Sequence, residues 1–195
     1  MPAPCLVHPV SDPLPERGDD ELMALAQAGM REAFAVLVER HATRLVQACA
    51  RFVNDPAVGA ELAQETWVAA WAARSQYRPD GKFFVWLLAS ARNRCRNHAR
   101  HEGVGKAFVE HSGRQASSPL SPDQIDRLLA EERQRGVREA LSRLPSRMRE
   151  ALLLRFAEDL RYDEMAAVLH TGESTLRSRV HHGLRLLKNL LEKNR

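Results

Sequence analysis

Between residues 174 and 191, "STLRSRVHHGLRLLKNLL", apolar positions return every three or four residues. Leu176, Val180, Leu184 and Leu187 fall on one side of a 3.6-residue period, and Leu190 and Leu191 continue the stripe. Arg177, Ser178, His181, His182 and Arg185 fall on the opposite arc, where Glu192 is the nearest acid along the helix. One face of this predicted helix belongs to a core, and the other faces solvent or a polyanion. The same period runs through almost every segment from Asp19 onward. "DDELMALAQAG" opens with acids that suit a helix N-terminus and closes at Gly29, a good C-cap. The next helix, Arg31 to Val53, turns Phe34, Leu37, Val38, Leu45, Val46 and Phe52 inward before "NDP" stops it. A third is expected over Ala57 to Arg74 and a fourth over Phe83 to Arg100, with "SQYRPDGK" between them. No alternating pattern of any length occurs, so the expected class is all-α.

The period breaks over residues 102–122, "EGVGKAFVEHSGRQASSPLSP", where glycines, serines and prolines replace the apolar stripe. It resumes at Pro122, placed after Ser121 as proline at the first helical position follows an N-cap, and runs to Leu144, where "LP" ends it. Three more short helices are expected beyond. The reading is two small helical domains, 19–101 and 123–195, joined by a flexible linker over 102–122. Residues 1–18, with five prolines in the first fifteen, form a flexible tail.

A length of 195 residues allows one or two such domains to fold without disulfides. The excess of 29 Lys and Arg over 25 Asp and Glu is modest, so it matters only where it is concentrated. It is concentrated twice. Arg92, Arg94, Arg96 and Arg100 follow one another with no intervening acid, and Arg177 to Arg195 carries six basic residues against Glu192. Two basic stretches imply two contacts with a polyanion. Cys5, Cys49 and Cys95 are odd in number, far apart and without metal-ligand spacing, which suits reduced thiols in a cytoplasm. His98 and His101 are spaced for one helix face, but the arginines beside them repel a cation, so no metal site is expected. No secretory leader and no run long enough to span a bilayer occur, so no direct membrane insertion is expected. Without a glycine-rich phosphate loop, nucleophile triad or paired carboxylate site, neither catalysis nor a cofactor is expected.

The C-terminal part contains a helix-turn-helix pattern: Tyr162 to Leu169 with Met165, Ala166 and Leu169 inward, a turn "HTGE", then the basic helix with Ser174 as its cap. The major groove of duplex DNA admits one helix and requires donors on its exposed side. Arg177 and Arg185 can donate to guanine edges or phosphates, Ser178, His181 and His182 are shorter polar readers, and Thr175 with the amides at the helix start can hold a phosphate. In the third helix Glu61, Gln64, Glu65 and Val68 share one arc, opposite Leu62, Ala63, Thr66, Trp67 and Ala70. An acidic patch in a basic protein repels DNA and suits a protein partner.

Three blocks in series, "GAELAQETWVAAW", "YRPDGKFFVWLLASARNRCRNHAR" and "LSRLPSRMREALLLRFAEDLRYDEMAAVLHTGESTLRSRVHHGL", resemble the diagnostic segments of extracytoplasmic-function sigma factors, the small members of the bacterial sigma-70 family. The resemblance covers about Asp19 to Leu191 and implies a region 2-like bundle, a linker and a region 4-like helix-turn-helix domain. It implies that Glu61, Gln64 and Glu65 dock on the clamp helices of the largest subunit of core RNA polymerase, with the flap of the second-largest subunit as a further contact. It implies that the loop from Tyr77 to Lys82, with Arg78 and Asp80, captures a flipped base of the −10 element, and that Asn93, Arg94, Arg96 and Arg100 track the non-template strand. Arg177, Ser178, His181 and His182 match the readers of the −35 element, to which Thr175 and Arg185 are added on chemical grounds.

Melting DNA costs a few kcal/mol per unstacked step, recovered by stacking and pocket contacts. Of the aromatics near the loop, Tyr77 and then Phe83 are expected to be exposed, and Trp86 to lie in the core. A linker of about 20 residues reaches roughly 65–70 Å, close to the length of two turns of B-DNA, about 70 Å. The chain departs from the family in having Ala60-Glu61 for a Glu-Asp pair, His170-Thr171 in the turn, and Gly183 for an alanine, at roughly 1 kcal/mol to the helix. An anti-sigma protein is implied as a further partner, holding a cytoplasmic chain near the membrane. The competing reading is a free-standing helix-turn-helix regulator that binds operator duplex without polymerase; it leaves the acidic helix and "YRPDGKFFVW" without a role.

Overall fold

The computed structural model describes residues 13–101, 132 and 134–193. Among these residues there are helices and turns and no strand, which agrees with the all-α expectation. The expected linker, 102–122, lies outside them, as does the expected start of the second domain.

Four helices form the N-terminal unit: α1 (Asp19–Gln27), α2 (Arg31–Val53), α3 (Pro56–Ala72) and α4 (Phe83–His101). Their apolar stripes meet in one core, with Leu22, Leu37, Leu45, Phe83, Leu87 and Leu88 fully or almost fully buried. Each such side chain stabilises the fold by about 1.5–3 kcal/mol relative to exposure. Local chemistry sets the corners. Asn54 ends α2 in the left-handed region at φ +60, and Asp55 caps α3 by accepting bonds from the amides of Ala57 (2.8 Å) and Val58 (3.1 Å), with Pro56 following it. Gly59 lets α3 lie directly against α2, because a Cβ there would stand 2.5 Å from the Ala50 Cα. Cys49 and Cys95, on α2 and α4, are buried free thiols.

Part of the expected tail is ordered. Residues 14–16 form a 3-10 turn, and Arg40 donates to the carbonyls of Pro15 (3.1 Å) and Arg17 (2.9 Å) while pairing with Asp19. Proline content predicted a loose end, but one arginine on α2 supplies enough donors to hold residues 13–18.

The C-terminal unit consists of a helix α5 (134–142), α6 (Ser146–Leu152) continued by a π-helical turn (Leu153–Ala157), α7 (Tyr162–Leu169) and α8 (Glu173–Lys193). α7 has the predicted bounds. Glu164 accepts from the Arg161 amide at 2.8 Å, closing its first turn. His170 takes the left-handed position that ends α7, at φ +49, where glycine is the usual occupant and where a side chain costs roughly 1–2 kcal/mol. Two expectations for α8 are corrected. The helix begins at Glu173, so Ser174 is inside its first turn rather than its cap. Leu184 is exposed rather than in the core, whereas Leu176 and Val180 are buried and Leu187 and Leu190 partly so. Gly183 faces inward instead: a Cβ there would meet Leu152 at 3.2 Å, so the missing methyl allows α6 and α8 to approach.

The two units touch. α7 packs on α4, and the π-helical turn packs on α2.

Candidate polymerase and nucleic-acid interfaces

On α3 the apolar residues of one arc, Leu62, Ala63 and Ala70, are buried together with Thr66, whose hydroxyl donates to the Leu62 carbonyl at 2.6 Å. That arrangement leaves Glu61, Gln64, Glu65 and Val68 exposed on the other arc, Val68 at 72%. A large apolar side chain ringed by acids and an amide has the composition of a protein-docking patch. Arg94 reaches it from α4, its Nη1 3.4 Å from the Glu65 carboxylate. This arginine, expected on the DNA strand, therefore faces the acidic patch.

The loop after α3 contradicts the expectation for its aromatics. Tyr77 is 5% exposed and Phe83 1%, so neither is an open stacking platform. The Tyr77 ring meets the edges of Phe83 (centroids 5.8 Å apart) and Trp86 (5.4 Å), and its hydroxyl donates to Asp20. Burial, together with that carboxylate, pushes the phenol well above its ordinary range. The half-buried Trp86, expected in the core, is the more accessible ring. Asp20 also accepts the Gly81 amide (2.8 Å), Asp80 accepts that of Lys82 (3.1 Å), and Gln27 donates to the carbonyls of Arg74 (2.8 Å) and Tyr77 (3.0 Å). Gly81, at φ +74, makes the turn possible. The result is a pinned loop that presents Arg78, Pro79 and Asp80 to solvent. Asp20 and Gln27 were legible only as helix-terminal polar residues; their partners lie about 50 positions away.

Along α4, Asn93, Arg96 and Arg100 are exposed as expected. Other cations of the same unit are held by acids of the C-terminal unit. Arg92 donates to Glu150 at 2.8 and 3.2 Å, Lys82 pairs with Asp163 at 3.1 Å, and Arg51 (2.8 Å) and Arg44 (3.3 Å) pair with Glu158. Burial pushes the Glu158 carboxyl above its usual range even though both arginines pull it down. The Lys82 ammonium, with Arg161, holds Asp163 below it.

The second helix of the helix-turn-helix presents Thr175, Arg177, Ser178, His181, His182 and Arg185 to solvent, all opposite Leu176 and Val180. This is the geometry of a groove-reading helix. Arg177 is already engaged. Its Nη2 lies 2.8 Å from Glu173, and its guanidinium stands 4.4 Å from the Tyr162 ring centroid. Glu173, not Glu192, is thus the acid closest to the reading face, brought there because α8 starts two residues earlier than a cap at Ser174 implies.

Comparison with known proteins finds matches to both units. The family model for Sigma-70 region 2 matches residues 37–104, and that for Sigma-70, region 4 matches residues 134–187. The chain is 30% identical over 163 residues to RNA polymerase sigma factor CarQ of Myxococcus xanthus, covering 84% of this chain and 91% of that protein. It is 32% identical over 182 residues to the ECF RNA polymerase sigma factor SigK of Mycobacterium ulcerans, covering 91% and 97%. Among solved structures, CnrH in complex with the cytosolic domain of CnrY has a TM-score of 0.67 at 26% identity, over 91% of this chain and 99% of that one. The sigma factor RpoE of Bartonella quintana, solved with the anti-sigma factor NepR, shares the fold with a TM-score of 0.63 at 23% identity, over 83% and 98%.

Proposed function

The chain belongs to the extracytoplasmic-function group of the sigma-70 family, whose members act with RNA polymerase in transcription initiation, and from that premise we propose how its surfaces divide the work. The N-terminal unit docks on core polymerase through Glu61, Gln64, Glu65 and Val68, against the clamp helices of the largest subunit. The basic face of α8 places Arg177, Ser178, His181, His182 and Arg185 in the major groove of a −35 element, with Thr175 on the phosphate at its edge. The pinned loop 77–82 holds a base extruded from the −10 element, and Asn93, Arg96 and Arg100 follow the strand beyond it. Tyr77 acts there as the floor that keeps the loop in shape, while Trp86 is the ring within reach of a base.

One observation carries this reading: a single chain exposes an anionic helix face on α3 and a cationic one on α8, with the core of each helix turned away. Such opposite faces suit a protein that bridges an enzyme and a polyanion. An anti-sigma protein is proposed as a third partner; CnrH, a relative in fold, was solved with a protein partner of its own. Among the described residues no helix is long and apolar enough to cross a membrane, and the proposed place of action is the cytoplasm, where polymerase is. The factor has no reaction of its own in this scheme.

Run-off transcription with purified core polymerase, with and without the protein, tests the reading. Initiation that depends on both is the expected result. A protein that footprints duplex DNA alone and adds nothing to polymerase is a free-standing regulator instead.

A further inference from the structure

The first turn of α1 carries two adjacent carboxylates that serve different neighbours. Asp19 turns to α2, where it pairs with Arg40 and with His41 Nε2 at 2.8 Å. Asp20 turns to the loop after α3, where it accepts the Tyr77 hydroxyl and, at 2.8 Å, the Gly81 amide. Further along the same helix Gln27 donates to the carbonyls of Arg74 (2.8 Å) and Tyr77 (3.0 Å), and Arg74 Nε donates back to the Ala26 carbonyl at 3.1 Å. Positions 20 and 27 are two turns apart, so the helix brings both to one face, about 10 Å from each other. Burial of Leu22, Met23 and Ala26 fixes the rotation of α1 that turns this face to the loop. Residues 74–81 are thus held at both ends against α1, and between the anchors Arg78, Pro79 and Asp80 stand exposed. The helix dipole accounts for an acid anywhere in the first turn, as for the exposed Glu21. It does not account for a carboxylate that meets a hydroxyl and an amide 57 and 61 positions away.

A site tells one base from another only when its donors and acceptors are held to about 0.5 Å, and a loop ordered beforehand loses less freedom when the base enters. Resting on the proposed capture of a −10 base by residues 77–82, we propose that Asp20 and Gln27 are positioning residues for that capture. Neither side chain touches DNA; α1 sets the shape of the loop and with it the choice of base. Selectivity at this base then belongs to the loop and α1 together. Residues 77–82 moved into another chain carry it only when an acceptor and an amide donor stand in the places of Asp20 and Gln27.

The test uses the full chain with core polymerase on a genomic promoter that responds to it, each −10 position carrying each of the four bases in turn. Run-off transcription gives, at every position, the ratio of rates between the best and the poorest base. Asp20→Ala should lower that ratio about tenfold at one position and leave the others as they are, and Gln27→Ala should lower it several-fold at the same position. Asp20→Asn should restore it, because the amide oxygen accepts from Gly81 and the amide NH2 donates to the Tyr77 oxygen. Glu21→Ala, in the same turn, should match wild type. Circular dichroism and thermal melts verify that the variants are folded, and hydrogen exchange at the Gly81 amide should quicken in Asp20→Ala. A merely structural role lowers the rates on all promoters alike and keeps the ratios. Unchanged ratios in folded Asp20→Ala and Gln27→Ala overturn the proposal, as does a fall of equal size at every position. Should Asp20→Ala fail to fold, Gln27→Ala, at its exposed position, decides alone. A wild-type chain that supports no initiation removes the proposed function and this proposal with it, and initiation without selectivity at any −10 position removes base capture by the loop. Wild-type selectivity kept by both variants counts against the role of α1 alone.

Discussion

The Glu158 carboxylate lies between two guanidinium groups of α2, with Oε1 2.8 Å from Arg51 Nη1 and Oε2 3.3 Å from Arg44 Nε, and its carbonyl accepts Arg44 Nη2 at 2.8 Å. The acid is almost fully buried and the arginines are 39% and 46% exposed, so the cost of dehydration falls mainly on the anion. Removing one arginine leaves that anion half compensated. Arg51→Ala should lower stability by about 1–2 kcal/mol, toward the lower end for a charged hydrogen bond because Arg44 remains. Urea unfolding measures it. Glu158→Gln, which keeps the shape and an acceptor, should cost less than Arg51→Ala.

The same burial makes docking depend on pH. The Glu158 carboxyl is raised in the docked form and returns to its ordinary value near 4.5 when the units separate. The docked form therefore binds the proton more tightly. Docking should strengthen as pH falls from above the raised value to about 4.5 and weaken as pH rises through it. Asp163 is shifted the opposite way, so its pairing with Lys82 is lost only when pH falls below the ordinary aspartate range. A radius of gyration that shrinks between neutral pH and the Glu158 range, and does not do so in Glu158→Gln, is the expected signature.

How much of this was legible in the sequence depends on how far each cause reaches along the chain. The bounds of α2 and α7 follow from an apolar period and from stop signals within a few residues, and the structure reproduces them. The exposed arcs of α3 and α8 follow from the same period. Tyr77 was misplaced because its fate is decided by Asp20, 57 positions away, and the docking of the units was invisible because Arg44 and Glu158 are 114 apart. Leu184 sits on the apolar stripe of α8 yet is exposed, while Gly183 beside it faces Leu152, and Leu187 and Leu190 beyond it are partly buried. Periodicity states which face is apolar, not which positions on that face a neighbouring helix covers.

Two glycines separate close approach from mere propensity. At Gly59 an added Cβ meets the Ala50 backbone at 2.5 Å, and backbone cannot step aside, so Gly59→Ala should force α2 and α3 apart and cost about 3 kcal/mol. At Gly183 the nearest atoms belong to the Leu152 side chain at 3.2 Å, which can turn. Gly183→Ala should stay within about 1 kcal/mol of wild type, since the helix propensity gained offsets the crowding. Thermal melts of the pair test both.

Tyr77 supports the loop through its ring and through its hydroxyl, and the two can be separated. Tyr77→Phe keeps the packing on Phe83 and Trp86 and removes the bond to Asp20, for a loss of about 1 kcal/mol. Tyr77→Ala empties a buried site and should cost about 3–5 kcal/mol. If Tyr77 contacted a base directly, Tyr77→Phe would be expected to reduce open-complex formation while the melting temperature held. The structure predicts the reverse order of sensitivity, with stability changing first.

Glu173 restrains the arginine that stands nearest the start of the reading helix. Its carboxylate is 2.8 Å from Arg177, both groups are exposed, and the pair is a surface i, i+4 contact worth a few tenths of a kcal/mol. A phosphate or guanine edge competes readily with so weak a partner, yet Glu173 also repels the DNA it sits beside. Glu173→Gln removes the repulsion and releases Arg177 while leaving Tyr162 beneath the guanidinium to keep it aimed. Binding of duplex promoter by the polymerase complex should tighten several-fold, and the dependence on salt should steepen because one more cation is free to meet phosphate. Arg177→Ala should weaken binding and flatten that dependence, and in its background Glu173→Gln should gain less than it does alone. A gain of the same size in both backgrounds means that Glu173 acts only through its own charge and that the pair has no part in positioning Arg177.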